Sequence, residues 1–167
     1  MTDDHIIVFV EIPTGSRNKY EMDAESGTIM LDRMLFTAMR YPGDYGFVEE
    51  TRGGDGDPLD ALVFLGEPTF PGCRIRVRPV GLFRMADEKG QDEKILCVPQ
   101  HDPNWFGIEH LDDLAQQLRD EIANFFSIYK QLESKQVEVC GWRRREEAFE
   151  AIERARISWR ERPTAAG

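Results

Sequence analysis

Three carboxylates stand within six positions in the stretch Asp55-Gly56-Asp57-Pro58-Leu59-Asp60, and this stretch constrains the fold more than any other. It follows a Gly-rich run and precedes the apolar run 61–65, which predicts a buried strand. The acids therefore lie where a loop enters a rigid element, a place that can hold ligands in fixed geometry. Carboxylates this close repel one another, so they indicate either a solvated turn or the ligands of a divalent cation that prefers oxygen.

Short strands are predicted through the first part of the chain. Apolar, β-branched or alternating runs bounded by Gly, Pro and Asp residues are typical of strands, and two pairs of them flank turns and predict hairpins. The longest run is expected to bend near Pro79 and Gly81, where a ladder hydrogen bond is missing and a bulge is favoured. The predicted strands are 6–12, 19–22, 28–31, 61–65, 73–85 and 94–98.

The pattern changes to helical spacing after Pro99. Apolar residues from Leu111 to Tyr129 recur every three or four positions and predict an amphipathic helix. A last short strand is predicted within 137–142, and a second helix from about Arg145 to Arg160. The order of elements predicts a mainly β fold with α, in which a small closed β-barrel carries two main helices on its outside. Residues 1–167 are predicted to form a single domain with a loose C-terminal tail from about 161.

The composition restricts the class of partner. A formal net charge of -10 argues against nonspecific binding to nucleic acid or to anionic membranes, since both need cationic patches. No apolar run approaches the roughly 20 residues that span a bilayer, and the acidic N-terminus does not have the pattern of a signal peptide. The three cysteines, Cys73, Cys97 and Cys140, are widely spaced and predict reduced, mostly buried thiols in a cytoplasmic protein.

Charged and tyrosine residues recur at the predicted strand ends and hairpin tips, within eight short motifs between residues 6 and 142. In their order these motifs resemble those of the soluble family I inorganic pyrophosphatases of the short bacterial type. The motifs are Glu11-Ile12-Pro13, Asn18-Lys19-Tyr20-Glu21, Leu31-Asp32-Arg33, Tyr41-Pro42-Gly43-Asp44-Tyr45-Gly46, Asp55-Gly56-Asp57-Pro58-Leu59-Asp60, Arg78-Pro79-Val80-Gly81, Asp87-Glu88-Lys89-Gly90-Gln91-Asp92-Glu93-Lys94 and Phe125-Phe126-Ser127-Ile128-Tyr129-Lys130.

The resemblance implies a five-stranded OB-like barrel and a cytoplasmic enzyme that hydrolyses pyrophosphate to two phosphates. It implies several Mg²⁺ ions in each active site, with Mn²⁺ or Zn²⁺ as possible substitutes and Ca²⁺ as an inhibitor. It also implies a homo-oligomer, and specifically a homohexamer.

The resemblance further implies a role for each matching residue. Asp57 matches the residue that accepts a proton from the attacking water. Carboxylates that match metal ligands are Asp55, Asp60, Asp87, Asp92, Glu11 and Glu21. Groups that match phosphate ligands are Lys19, Arg33, Tyr45, Lys94, Tyr129 and Lys130.

The charge of this set agrees with metal-assisted binding of an anion. Seven carboxylates and four cationic side chains give the empty site a net charge of -3, which repels pyrophosphate. Two to four divalent ions would add roughly +4 to +8 and reverse the sign. Water beside such ions loses a proton more easily, so a neighbouring carboxylate can serve as its base.

Two other functions also use closely spaced acidic residues. An EF-hand calcium module begins with a similar Asp-x-Asp pattern, but it needs Gly at the sixth position and Glu at the twelfth, where this chain has Asp60 and Gly66. A metal-dependent nuclease would need a basic groove, which the net charge disfavours. Another metal-dependent phosphohydrolase remains the alternative to a pyrophosphatase.

Overall fold

Eight strands and two α-helices make up the regular structure of residues 6–164, the part of the chain that this computed structural model describes. The strands are β1 Ile6–Ile12, β2 Asn18–Asp23, β3 Thr28–Met34, β4 Asp44–Val48, β5 Asp60–Val63, β6 Arg74–Asp87, β7 Gly90–Pro99 and β8 Glu138–Arg144. The helices are α1 Gln116–Ile128 and α2 Arg145–Arg160. Predictions for residues 1–5 and 165–167 lie outside this part of the chain.

Five strands form a closed ring in the order β1, β4, β5, β7 and β6, because β6 pairs again with β1. The pairing of β5 with β7 is parallel and the other pairings are antiparallel, and β8 extends the sheet beyond β6. The strands β1 and β4 approach so closely that a Cβ on Gly46 would collide with the Phe9 carbonyl oxygen. The predicted fold class, a closed five-stranded sheet with two helices outside it, is confirmed.

The long strand β6 bends where the sequence predicted. Its register against β7 shifts between Pro79 and Gly81, because Pro79 has no N–H for the ladder. The bend lets one strand pair with β1, β7 and β8 along its length. The resulting β6–β7 hairpin carries Asp87 and Asp92 beyond the end of the ring, on either side of the turn.

Both faces of β5 are buried, so the run Ala61 to Phe64 is apolar without alternation. Leu62 packs in a cluster with the aromatic residues of α1, while Ala61 and Val63 pack in a second cluster with the alanines and Ile152 of α2. Leu62 therefore faces the cluster that includes α1, and Ala61 and Val63 face the cluster that includes α2.

The first helix starts later than predicted. Leu111 and Leu114 are buried at helical spacing, but a 3₁₀ turn spans Leu111–Asp113 and Leu114 has an extended backbone. The Asp113 carboxylate accepts the backbone N–H groups of Glu109 and His110, which stabilises this turn rather than a helix. The prediction of a helix from 111 is wrong, and α1 begins at Gln116.

The sequence did not predict β4, because the turn-forming residues Pro42 and Gly43 directly precede it, and two of the three thiols are less buried than expected. The helix α2 has the predicted bounds, whereas β8 begins within the predicted range and continues to Arg144. The cysteines are free, but only Cys97 is buried, whereas Cys73 and Cys140 are half-buried. No helix within residues 6–164 combines the length and apolar character that a bilayer crossing requires.

Candidate active site

A cleft of about 410 Å³ gathers twelve of the thirteen predicted site residues, and Arg33 is the one that does not line it. The ring supplies Glu11, Tyr45, Asp60 and Lys94, and the β2–β3 hairpin supplies Lys19 and Glu21. The loop before β5 supplies Asp55 and Asp57, and the β6–β7 hairpin supplies Asp87 and Asp92. The chain directly after α1 supplies Tyr129 and Lys130. Residues distant in sequence therefore converge on one cleft.

The floor of the cleft is a buried lysine in a network of hydrogen bonds. Parallel pairing sets Lys94 opposite Asp60, and Asp92 lies two residues away on the same face of β7. The Lys94 Nζ donates to Tyr45 Oη at 2.7 Å, to Asp92 Oδ2 at 3.0 Å and to Asp60 Oδ2 at 3.2 Å. Tyr45 Oη in turn donates to Asp60 Oδ2 at 2.7 Å.

This network keeps Lys94 charged although its side chain is only 1% exposed. Burial lowers the pKa of Lys94, but the charges of Asp60 and Asp92 outweigh it and raise the pKa above its ordinary value. The ammonium also lies 5.0 Å from the centre of the Phe126 ring, a favourable cation–π distance. The floor therefore presents a fixed positive charge.

Tyr129 and Lys130 extend this floor from the end of α1. The Tyr129 N–H donates to the Phe125 carbonyl, and the two rings stack at 5.3 Å. Burial raises the pKa of Tyr129 to about 12, so the hydroxyl stays neutral and can donate a hydrogen bond. Burial and the neighbouring Lys94 lower the pKa of Lys130, whose Nζ lies 4.0 Å from Asp87 Oδ2.

The acidic loop forms the exposed rim of the cleft. Asp55 and Asp57 are exposed, and the Asp57 N–H donates to Asp55 Oδ1 at 3.0 Å across Gly56, which has a φ of +89°. At the base of the loop the buried Thr51 hydroxyl donates to the Val48 carbonyl and accepts the Leu59 N–H. The loop is thus fixed at its base, while its carboxylates face water.

Glu11 and Glu21 lie toward the hairpin side. Glu11 Oε2 accepts the Met22 N–H at 2.7 Å and so joins β1 to β2. Burial, with smaller contributions from Asp60 and Glu21, raises the pKa of Glu11 to about 7.

Arg33 lies beside the cleft and binds two acids that the sequence reasoning did not include in the site. Asp32 Oδ2 accepts from both Arg33 Nη1 and Lys19 Nζ, and Glu133 Oε1 lies 2.8 Å from Arg33 Nε. The sequence offers a signal for Asp32 as a site residue, because it adjoins Arg33 in the motif Leu31-Asp32-Arg33. Glu133 has no comparable signal, because a hundred residues separate it from Arg33.

The donor set has the chemistry that a hard divalent cation prefers, since its members are carboxylates. Within residues 6–164, however, no three acidic, His or Cys side chains are arranged to hold a metal ion as they stand. Two of the candidate ligands, Asp60 and Asp92, form ion pairs with the same ammonium group of Lys94. The residues fit a metal in chemistry, and they would have to close around it.

Together the fold and the cleft define a class: a closed β-sheet protein whose cleft combines carboxylates for cations with a buried lysine and partly exposed lysines for an anion. The model of the inorganic pyrophosphatase family matches residues 8–160. An inorganic pyrophosphatase of Streptomyces coelicolor is 59% identical over 152 residues, which cover 89% of this chain and 91% of the relative. One from Methanosarcina mazei is 53% identical over 154 residues, 92% of this chain and 91% of the relative.

Solved structures give the same result. The inorganic pyrophosphatase of Thermus thermophilus is 41% identical with a TM-score of 0.92, over 96% of this chain and 94% of the other. That of Helicobacter pylori is 41% identical with a TM-score of 0.91, over 94% of each chain. The chain belongs to the inorganic pyrophosphatase family.

Proposed function

We propose that this chain hydrolyses inorganic pyrophosphate to two phosphates by direct attack of water, with Mg²⁺ as its metal. The observation that carries the proposal is the pairing of an acidic rim with a buried, charged Lys94 in one cleft. The rim alone would repel pyrophosphate, and the floor alone would bind it without activating water. Family membership supports the substrate.

The acids divide into proposed ligands and a proposed base. Asp55, Asp60 and Asp92 would hold the tighter metal ions, Asp87 the ions that arrive with substrate, and Glu11 and Glu21 would bind more loosely. When bound, the ions supply positive charge for the pyrophosphate oxygens and lower the pKa of the attacking water. Asp57 would accept the proton of that water, since it is exposed on the rim beside the proposed ligands.

The cationic and hydroxyl groups would hold the phosphates. The neutral Tyr129 hydroxyl can donate to phosphoryl oxygens from the floor, and Lys19 and Lys130 can do so from the walls. Lys94 would join them once metal binding at Asp60 or Asp92 frees one of its three N–H groups. Tyr45 donates to Asp60 and would fix that carboxylate. Charge that develops on the departing phosphate would then be neutralised by groups already in place.

Other features implied by the resemblance are proposed with the same function. Mn²⁺ or Zn²⁺ would substitute for Mg²⁺, and Ca²⁺ would bind but inhibit, because its longer and looser coordination misplaces the water. A cytoplasmic location, a single domain over residues 1–167 and a homohexamer stay predictions.

The test measures phosphate release from pyrophosphate, a nucleotide and DNA in the same buffer. With Mg²⁺ we expect rapid release from pyrophosphate and little from the others, and no turnover after exhaustive chelation or with Ca²⁺ alone. Full activity after chelation would contradict metal dependence. Faster release from the nucleotide would favour another phosphohydrolase.

A further inference from the structure

Glu133 is a buried carboxylate outside the predicted site, and its ion partner is Arg33. Its side chain is 6% exposed, and Oε1 lies 2.8 Å from Arg33 Nε, although the N–H is not aligned for a good hydrogen bond. The other oxygen, Oε2, is buried and has no hydrogen-bond partner in the described part of the chain. Burying a carboxylate is costly unless it is paired, so this ion pair offsets part of that cost.

Arg33 is held at two of its three guanidinium nitrogens. Nη1 donates to Asp32 and Nε contacts Glu133, whereas Nη2 has no partner among residues 6–164. Because a guanidinium is planar and rigid, fixing two nitrogens also fixes the direction of the third. Within the described residues only Nη2 is therefore left for a further ligand, and a bidentate contact would require Arg33 to release a carboxylate.

The pair also joins two separate parts of the cleft wall. Arg33 lies in β3 opposite Lys19, in a hairpin that forms its own two-stranded sheet. Glu133 ends a 3₁₀ turn that directly follows Tyr129 and Lys130. The ion pair thus links the hairpin that carries Lys19 to the turn that follows Tyr129 and Lys130.

We propose that Glu133 is a positioning residue that holds the Arg33 guanidinium, so that Nη2 is preset to neutralise charge on the departing phosphate. The inference rests on the proposed function. It assigns no contact between Glu133 and substrate, and its effect should pass entirely through Arg33.

The kinetic test compares Glu133→Ala and Glu133→Gln with the matched control Glu121→Gln, an exposed carboxylate on α1. With pyrophosphate and Mg²⁺, Glu133→Ala should lower kcat about tenfold while KM changes less than about twofold. Glu133→Gln should lower kcat less, because its amide oxygen can still contact Nε, and Glu121→Gln should match wild type.

The double mutant tests whether the effect passes through Arg33. In an Arg33→Lys background, Glu133→Ala should cause no further loss of kcat, since the effects of coupled residues are not additive. Equal losses in both backgrounds would overturn the positioning role.

A second readout does not depend on turnover. The ¹⁵Nε–H resonance of Arg33, assigned by its absence in Arg33→Lys, should shift in both Glu133 variants and remain unchanged in Glu121→Gln. An unchanged Arg33 resonance in Glu133→Ala would overturn the anchoring. If wild type fails to release phosphate from pyrophosphate while the resonance shifts as expected, the proposed function and the role in turnover fail, and the anchoring of Arg33 stands.

Discussion

The floor and the rim of the cleft are built in opposite ways. At the floor Lys94 is 1% exposed and has three hydrogen-bond acceptors, supplied by β4, β5 and β7. At the rim Asp55 and Asp57 are exposed, on a loop whose conformation depends on Gly56. The charged groups of the floor are paired with one another before any ligand arrives, whereas the carboxylates of the rim face water without a cationic partner in residues 6–164.

This difference separates two kinds of preorganisation. The floor is rigid because removing a buried charge's partners is costly, so its geometry is set when the ring closes. The rim can be acidic because water screens its carboxylates until divalent cations replace that water. The two regions should therefore respond differently to mutation: rim variants should lose rate and floor variants should lose stability.

The largest effect is expected at the rim. Asp57→Asn is nearly isosteric but cannot take a proton at neutral pH, so kcat should fall roughly 10²- to 10⁴-fold while folding and metal affinity are retained. Asp55→Asn, also at the rim, should instead weaken metal binding, and high Mg²⁺ should restore part of its rate. If excess Mg²⁺ restores Asp57→Asn equally well, Asp57 is another ligand and not the base.

The next largest effect is expected at the floor. Lys94→Met keeps an unbranched side chain but leaves Asp60 and Asp92 without their ammonium, which should lower the free energy of unfolding by about 2 kcal/mol. The carboxylates are partly exposed, which keeps this cost below that of a fully buried pair. Urea denaturation would measure the loss, and Lys89→Met, an exposed lysine at the cleft edge, should change stability by less than about 0.5 kcal/mol.

A smaller effect is expected at Gly56, between the two rim carboxylates Asp55 and Asp57. Gly56 has a φ of +89°, so Gly56→Ala should cost about 1 kcal/mol through backbone strain although no atom lies closer than 4.0 Å to the new Cβ. We expect a lower apparent affinity for Mg²⁺, measured by the dependence of rate on Mg²⁺. Gly54→Ala, where the backbone is not left-handed and the Cβ meets open space, is the matched control. Equal effects of the two changes would contradict a role for the left-handed turn.

The sequence predicted four of the five ring strands and the second helix well, because their apolar runs are bounded by Pro, Gly and charged residues. It missed β4, whose first residues belong to the Pro- and Gly-containing motif 41–46 that is typical of a turn. It placed the start of α1 too early, because the spacing of Leu111 and Leu114 reports burial and not backbone conformation. The motifs also named the residues that converge on the cleft. They could not show that Asp60 lies opposite Lys94, which depends on a parallel pairing made when the ring closes. The partnership of Glu133 with Arg33 was hidden for the same reason.

The smallest predicted effect lies between floor and rim, at Glu11. Its pKa of about 7 exceeds the ordinary 4.5, so the folded state binds the proton more tightly than the unfolded state. The resulting stabilisation is complete below pH 4.5, decreases as the unfolded carboxyl ionises and is lost above about 7. In metal-free protein, Glu11→Gln should remove this pH dependence. Between pH 4 and pH 8 the free energy of unfolding of wild type should fall by about 1 kcal/mol more than that of Glu11→Gln, a value reduced to allow for the partial exposure of Glu11. Thermal unfolding across this pH range would measure the difference.

Adding Mg²⁺ to wild type should reduce this pH dependence, because a cation near Glu11 favours the ionised carboxylate. A pH dependence that is identical in wild type and Glu11→Gln would place Glu11 with the water-screened rim.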